Sequence, residues 1–355
     1  MSHKQSEYMH WAKTSQRARY NLATSGVGAF PLRDLPFDLA KLEINGDNSY
    51  GYRPLTEAIA AHNGVDPDCV VEAAGTSFAN HLAMAALLEP GDDVLIEHPT
   101  YGPLLDAALY LDATVTRFAR TPESGYAVDP AAVQRALTPR TRLIVITNLH
   151  NPSSALTSEA VLSEVGGLAR NAGAHVLVDE VYLDAVYANT PRTSFYLGPE
   201  FVVASSLTKV YGVSGIRCGW ILARPELAWR MRRLNDLFGA TPVHPGEILG
   251  VAAFEHLPLL RERARRIVEA DRANLRAFLE RRGECSLRWG TTHFLPVGNG
   301  DAFATRLRTE FETSVVPGRF FEMPDYVRIG MGVDSEMFAE GLRRVGQALS
   351  PAHFG

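Results

Sequence analysis

Lys209 is the residue with the most chemistry to explain. It follows an apolar run, Phe201 to Ala204, that reads as a short buried strand, so it sits just past a strand end, where open α/β sheets place their ligands. A lysine held in a partly desolvated pocket near another cation loses proton affinity and becomes an amine nucleophile, able to form a Schiff base with a carbonyl. Arg217 can supply that cation while binding an anionic group. Ser206 and Thr208 add hydroxyls, and Gly212, Gly215 and Gly219 let the backbone approach a ligand closely. The plain alternative is a surface lysine before a glycine-rich turn. The other parts of one site must therefore be found elsewhere in the chain.

Several segments offer them. Asp179 ends the apolar run from His175 to Val178, and a carboxylate buried there needs a partner, for which a protonated ring nitrogen is suitable. A helix N-cap is the competing reading of Asp179-Glu180. Gly75-Thr76-Ser77 separates a strand, Val70 to Ala74, from a helix reaching residue 88, and free N–H groups with the helix dipole make that junction an anion site, phosphate above all. Simple capping is again the alternative. Tyr101, in His98-Pro99-Thr100-Tyr101, offers an aromatic face. Asn151 stands after the strand 142–147, and Arg328 is the one arginine in the strand 325–330, where an exposed residue is the plain reading.

The elements that must position these residues follow from apolar periodicity. Helices are predicted near 8–12, from residue 55, over 158–171, 225–238, 301–310 and 335–348, with one long amphipathic helix over 248–281 whose arginine- and glutamate-rich face is solvated. Strands are predicted at 70–74, 93–97, 142–147, 175–179, 201–204, 220–223, 287–289, 293–297, 314–318 and 325–330. Strands alternating with helices predict an α/β fold.

The spacing S-x-x-K-x-x-G-x-x-G-x-R-x-G-W at 206–220 resembles the lysine motif of fold type I pyridoxal-phosphate enzymes, specifically the class I/II aminotransferases. The other segments occur in the order of that family over about residues 20–345. The resemblance implies a three-layer α/β/α large domain with a mostly parallel sheet at 41–245, and a small α+β domain made of 246–355 with an N-terminal arm, 1–40. It implies the cofactor pyridoxal 5′-phosphate on Lys209, its phosphate held by Gly75, Thr76, Ser77, Ser206 and Arg217. Tyr101 would stack on its ring, Asp179 would pair with the ring nitrogen, and Asn151 and Tyr182 would share its phenolic oxygen. Gly26, Asn151 and Arg328 would bind the substrate, and Lys209, Asp179 and Tyr101 form the catalytic set. A tyrosine before the helix at 55 would reach a neighbouring subunit's phosphate; Tyr50 and Tyr52 compete for that role because the spacer is short, with Tyr50 preferred. The family usually has N-P-T-G where this chain has Asn151-Pro152-Ser153-Ser154, and serine tolerates a positive φ poorly. The activity implied is amino transfer from an amino acid to a 2-oxo acid by a ping-pong cycle. The alternative keeps the cofactor but diverts the carbanion to β/γ-elimination or replacement, decarboxylation or carbon–carbon bond formation. A homodimer with shared sites is implied too.

Bulk properties agree. At 355 residues the chain has room for one large and one smaller domain, and a net charge of −5 gives no nucleic-acid surface. Cys69, Cys218 and Cys285 are far apart and lack metal-ligand spacing, so no metal is expected and a reduced, cytoplasmic setting fits. No apolar run is long enough to span a bilayer. Neither G-x-G-x-x-G nor a phosphate-loop motif occurs where a nucleotide fold needs it, which counts against a dehydrogenase. A regulatory cofactor-binding protein would need an attached partner module. His98, His150 and His244 carry no assigned role, and Arg19, Arg53 and His244 flank segments that could form a pocket mouth.

Overall fold

The computed structural model describes residues 4–15, 17–284 and 289–350. Cys285 and the first two residues of the strand expected at Leu287-Arg288-Trp289 lie outside them. In chain order the elements are α1 (Glu7–Thr14), β1 (Tyr20–Asn21), α2 (Arg53–Asn63), β2 (Val70–Ala74), α3 (Thr76–Leu87), β3 (Asp93–His98), α4 (Gly102–Tyr110), β4 (Thr114–Ala119), α5 (Pro130–Ala136) and β5 (Thr141–Thr147). They continue with α6 (Glu159–Ala172), β6 (His175–Asp179), β7 (Phe201–Ser206), β8 (Cys218–Leu222), α7 (Pro225–Asn235), α8 (His244–Glu255), α9 (Leu257–Glu280), β9 (Thr292–Pro296), α10 (Gly300–Phe311), β10 (Thr313–Ser314), β11 (Val316–Pro317), β12 (Tyr326–Gly330) and α11 (Ser335–Leu349).

Seven strands form one sheet in the order β2-β8-β7-β6-β5-β3-β4. Only β8 runs against its neighbours; the remaining ladders are parallel. A mostly parallel sheet must be covered on both faces, and its strands therefore read as continuous apolar runs. Along β5, Leu143 and Val145 pack with α3, α4 and α7, whereas Ile144 and Ile146 pack with α6. Each face of the alternating strand thus has its own helical layer. A second sheet, β11-β12-β9, is antiparallel, and β1 pairs with β10. The α/β fold class read from the sequence is the one observed.

Two predicted elements are corrected: the single strand expected over 314–318 is two short strands, β10 paired with β1 and β11 paired with β12. The continuous helix expected over 248–281 is two helices, α8 and α9, separated at His256. Pro258 lies in the first turn of α9, where its missing N–H costs nothing but its ring cannot continue a preceding helix. Pro245 likewise starts α8 earlier than expected.

Candidate active site

The C-terminal ends of β5, β6 and β7 open onto a cavity of about 380 Å³, within the usual range of small-ligand sites. Thr147, Asn151, Asp179, Val181, Tyr182, Thr208 and Lys209 line it from that side. The parallel ladder sets the spacing, because Thr147 and Asp179 are register partners on β5 and β6. The first turn of α3 adds Thr76 and Ser77, and the loop before β8 adds Ser214 and Arg217. The far wall comes from the N-terminal arm, Tyr8, Met9, Ala12 and Lys13 on α1 and Ala23, Thr24 and Ser25 beyond it.

Lys209 reaches the cavity floor, and its Nζ donates to Ser25 Oγ at 3.0 Å. Burial lowers its pKa to about 8, aided by the positive charges of Arg328 and Arg217 and opposed by Asp179. Arg328 is a stronger influence on this amine than Arg217, the cation expected from the sequence. Asp179 is 5 % exposed, accepts from Asn80 Nδ2 at 2.7 Å and from the Val181 N–H at 3.1 Å, and is pushed up to about 6 by burial. No cation of this chain pairs with it among the described residues, which leaves it available to a cationic ring nitrogen.

The other end of the cavity is a cradle for an anion. Gly75 takes a positive φ of 79° before α3, whose N-cap has no side-chain hydrogen bond, so the first N–H groups of the helix stay free. A Cβ on Gly75 would lie 2.3 Å from Arg217 Nη2, and only glycine allows the guanidinium so close to this backbone. Arg217 donates to the Ala74 carbonyl at 3.0 Å and to that of Ser214 at 3.3 Å. Ser206 stands behind the wall: it accepts from Thr76 Oγ1 at 2.7 Å and hydrogen-bonds Thr208 Oγ1 at 2.6 Å, so it orients the two hydroxyls that line the site. Three structural features therefore fit pyridoxal 5′-phosphate: an uncapped helix start beside Arg217, a buried carboxylate with no cationic partner among the described residues, and an amine of lowered pKa.

Arg328 is fully buried on the central strand of the small sheet. Its Nη1 donates to Asn151 Oδ1 at 3.0 Å and its Nη2 to the Tyr8 hydroxyl at 3.1 Å, while its Nε has no partner among the described residues. Arg328 is not itself a lining residue: it stands behind Asn151, Tyr8 and Ala23, which are, with its guanidinium 5.0 Å from the centre of the Phe321 ring, and a spare buried donor there suits an anion. Tyr101 lies against Tyr8 edge to face at 5.2 Å, and burial holds its hydroxyl well above the usual range, as burial also does for Tyr182.

Other expected residues fall elsewhere. Gly26 is not a lining residue; a Cβ there would meet the Lys209 backbone at 2.9 Å, so it permits close packing of the arm on the lysine loop. Tyr50 is half exposed, packs on Trp229 at 5.1 Å and donates to Asp236 at 3.2 Å, while Tyr52 meets the His244 ring edge-on. Neither reaches the cavity of its own chain. Arg19 pairs with Glu312, Arg53 with Glu57 and His244 with Glu247, all away from the cavity lining. His150 is buried between Pro99 O and Ser153, with its pKa held well below the usual value by burial. His98 ends β3 and is likewise not a lining residue. Ser154 adopts the left-handed φ of 60° that its glycine counterpart would favour; its Oγ donates to the Thr292 carbonyl at 2.8 Å, anchoring the turn.

The sequence reading gave no role to Tyr8, Ser25 and Asn80, because their partners are remote in sequence. It also missed a fully buried ion pair, Arg120 with Glu97 at 2.6 Å. Glu97 Oε1 accepts from Thr147 N–H and Oγ1, and Thr147 Oγ1 accepts from the Asn151 N–H, so the pair underlies the segment that meets Arg328.

Comparison with known proteins agrees with this geometry. Capreomycidine synthase of Streptomyces vinaceus is 28% identical to this chain, covering 94% of it and 90% of that protein. Aspartate/prephenate aminotransferase of Thermus thermophilus is 24% identical, covering 84% and 80%. The crystal structure of a PLP-dependent aminotransferase from Streptococcus suis superposes with a TM-score of 0.88 at 26% identity, covering 98% of each chain. The profile of the family described as aminotransferase class I and II matches residues 40–345. On that match the chain belongs to the class I and II aminotransferases, and its cofactor is pyridoxal 5′-phosphate.

Proposed function

We propose that this enzyme transfers an amino group from an amino acid to a 2-oxo acid, with Lys209 as both the point of cofactor attachment and the base. The observation that carries the reading is the Lys209 amine, lowered to about 8 at a cavity floor that also presents Asp179 and Arg217. Thr76, Ser77, Thr208 and Arg217 would hold the phosphate, and Asp179 the ring nitrogen. When bound, pyridoxal phosphate supplies an electron sink that stabilises negative charge at the substrate α-carbon. Arg328 orients the substrate carboxylate, backed by Asn151 and Tyr8. Lys209 Nζ, released from the cofactor, takes the α-proton and returns it to carbon, a task suited to an amine that is partly neutral near pH 7 to 8. Asp179 would accept the hydrogen bond of the ring nitrogen and, as a carboxylate, favour its protonated form.

Borohydride reduction followed by peptide mass spectrometry tests the attachment: the cofactor mass is expected on the Lys209 peptide and absent from Lys209→Ala. A reducible adduct retained in that variant would overturn the assignment.

A second reading, with the carbanion diverted to elimination, replacement, decarboxylation or carbon–carbon bond formation, draws support from the similarity to the Streptomyces vinaceus protein, whose name is that of a synthase. Product analysis separates the two: a 2-oxo acid with stoichiometric amino transfer supports the first, whereas ammonia or a thiol supports elimination, and carbon dioxide with an amine, or a product with a new carbon–carbon bond, the other forms of the second.

We also infer a homodimer. Tyr50, Trp229 and Phe238 are each about half exposed and Leu237 and Val243 more so, an apolar face that a second copy would cover. Sedimentation over a concentration series tests this, and a fully active monomer would contradict it. A cytoplasmic setting is consistent with the free thiols of Cys69 and Cys218.

A further inference from the structure

Ser25 lies outside the segment matched by the family profile, yet its hydroxyl is the group in contact with the reactive amine. Its position is fixed from several directions. The Val27 N–H donates to the Lys209 carbonyl at 2.7 Å, and the Phe30 N–H to that of Gly212 at 2.9 Å, so the arm is stitched to the lysine loop on both sides of Lys209's turn. Thr291 Oγ1 donates to the Ser25 carbonyl at 2.8 Å, tying the same residue to the segment before β9. Gly26 lets the two backbones approach, since no larger residue fits against Lys209. Ser25 is 7 % exposed as a result.

Tyr182 lines the same cavity as Ser25 and Lys209. A hydroxyl is donor and acceptor at once. The Ser25 hydroxyl can accept from a protonated Lys209, or donate to Lys209 when that amine is neutral. A lysine side chain is a flexible four-carbon stem, and a base that must take and return one proton gains from a fixed direction.

We infer that Ser25 is a positioning residue for the proton transfer: its Oγ holds Lys209 Nζ toward the cavity after the amine is released from the cofactor and while it carries the substrate proton. The inference rests on the aminotransferase reading above. In the step concerned the substrate Cα–H bond breaks, its electron pair stays in the conjugated system of substrate and cofactor, and a new N–H bond forms at Nζ. That N–H bond later breaks as the proton returns to carbon. Ser25 forms no covalent bond and gains no net proton.

The test uses full-length Ser25→Ala and Ser25→Thr proteins. In the cofactor-free protein, acetylation of Lys209 by acetic anhydride is followed against pH by peptide mass spectrometry. Loss of an acceptor for the charged form should lower the labelling midpoint by about 0.5 to 1 pH unit in Ser25→Ala, with the threonine hydroxyl restoring it. In the loaded enzyme Ser25→Ala should lower kcat about 10-fold to 100-fold with KM within about 2-fold, and raise the primary isotope effect of an α-deuterated donor. An unchanged labelling midpoint and isotope effect, with the cofactor held as tightly as in the parent, would overturn the inference. Should Ser25→Ala fail to fold, Ser25→Cys gives the same comparison through a weaker hydrogen-bonding group. Failure of the aminotransferase reading is seen separately, as a parent protein that carries no cofactor on Lys209 or releases no 2-oxo acid, because the labelling experiment needs neither.

Discussion

Replacing Arg120 by methionine would leave Glu97 charged, buried and unpaired beneath the active site. Both side chains are 0% exposed, their contact is 2.6 Å, and Arg120 Nε donates to the Tyr126 carbonyl at 2.7 Å. Breaking a buried pair from one side costs about 3–5 kcal/mol. Unfolding entropy is about 2.1 cal/mol/K per residue, or roughly 0.75 kcal/mol/K for a chain of 355 residues, so the melting temperature should fall by about 4–7 °C. Burial already pushes the Glu97 carboxyl up with Arg120 present; without the guanidinium it rises further. The folded variant then binds a proton at a pH where the unfolded chain does not. Its deficit should therefore shrink as pH falls from 8 toward 5.5. Thermal melts of cofactor-free parent, Arg120→Met and Arg120→Met/Glu97→Gln at both pH values measure this, and the double variant should regain half or more of the loss. A single variant within 1 °C of the parent at pH 8, or a double variant no better than the single, would refute the reasoning.

Gly75→Ala should weaken cofactor affinity by about 10-fold or more, because the new Cβ displaces Arg217 and the position carries a positive φ; fluorescence titration of the cofactor-free protein with pyridoxal phosphate reads it. Arg328→Ala leaves Asn151 Oδ1 and the Tyr8 hydroxyl short of a partner and removes the carboxylate anchor; kcat/KM for amino donors should fall by about 30-fold or more, corresponding to a loss of about 2–5 kcal/mol, with cofactor still attached. The rate of cofactor attachment should rise as pH increases through about 8, since only neutral Lys209 attacks a carbonyl; stopped-flow absorbance over pH 6–10 checks it, and a flat profile would contradict it.

What the sequence made legible follows from physical range. β5, β6 and β7 are buried on both faces, so their composition alone marks them, and the residues at their ends inherit a position from the parallel register. Lys209, Asp179 and Asn151 could be placed for that reason. Ser25, Tyr8 and Asn80 could not. The Arg328–Tyr8 bond spans 320 residues and the Asn80–Asp179 bond 99, and neither leaves a local pattern. Arg328 reads as a single arginine in a strand, and its burial depends on Tyr8 and Phe321 from other segments. The break at His256 was signalled by Pro258, but apolar periodicity continues across it and masked the turn. Ser154 shows the opposite case: an unfavourable φ is held by a buried hydrogen bond to Thr292, whose presence no neighbouring residue announces.

The most direct test of amino transfer through Lys209 is isotopic. Enzyme loaded with pyridoxal phosphate is given an amino acid labelled with ¹⁵N at its α-amino group, together with a different 2-oxo acid, and both products are followed by mass spectrometry. The account expects one 2-oxo acid from the donor for each labelled amino acid formed from the acceptor, and no labelled product from Lys209→Ala. Label released as free ammonium, or a donor-derived product other than the 2-oxo acid, would contradict it.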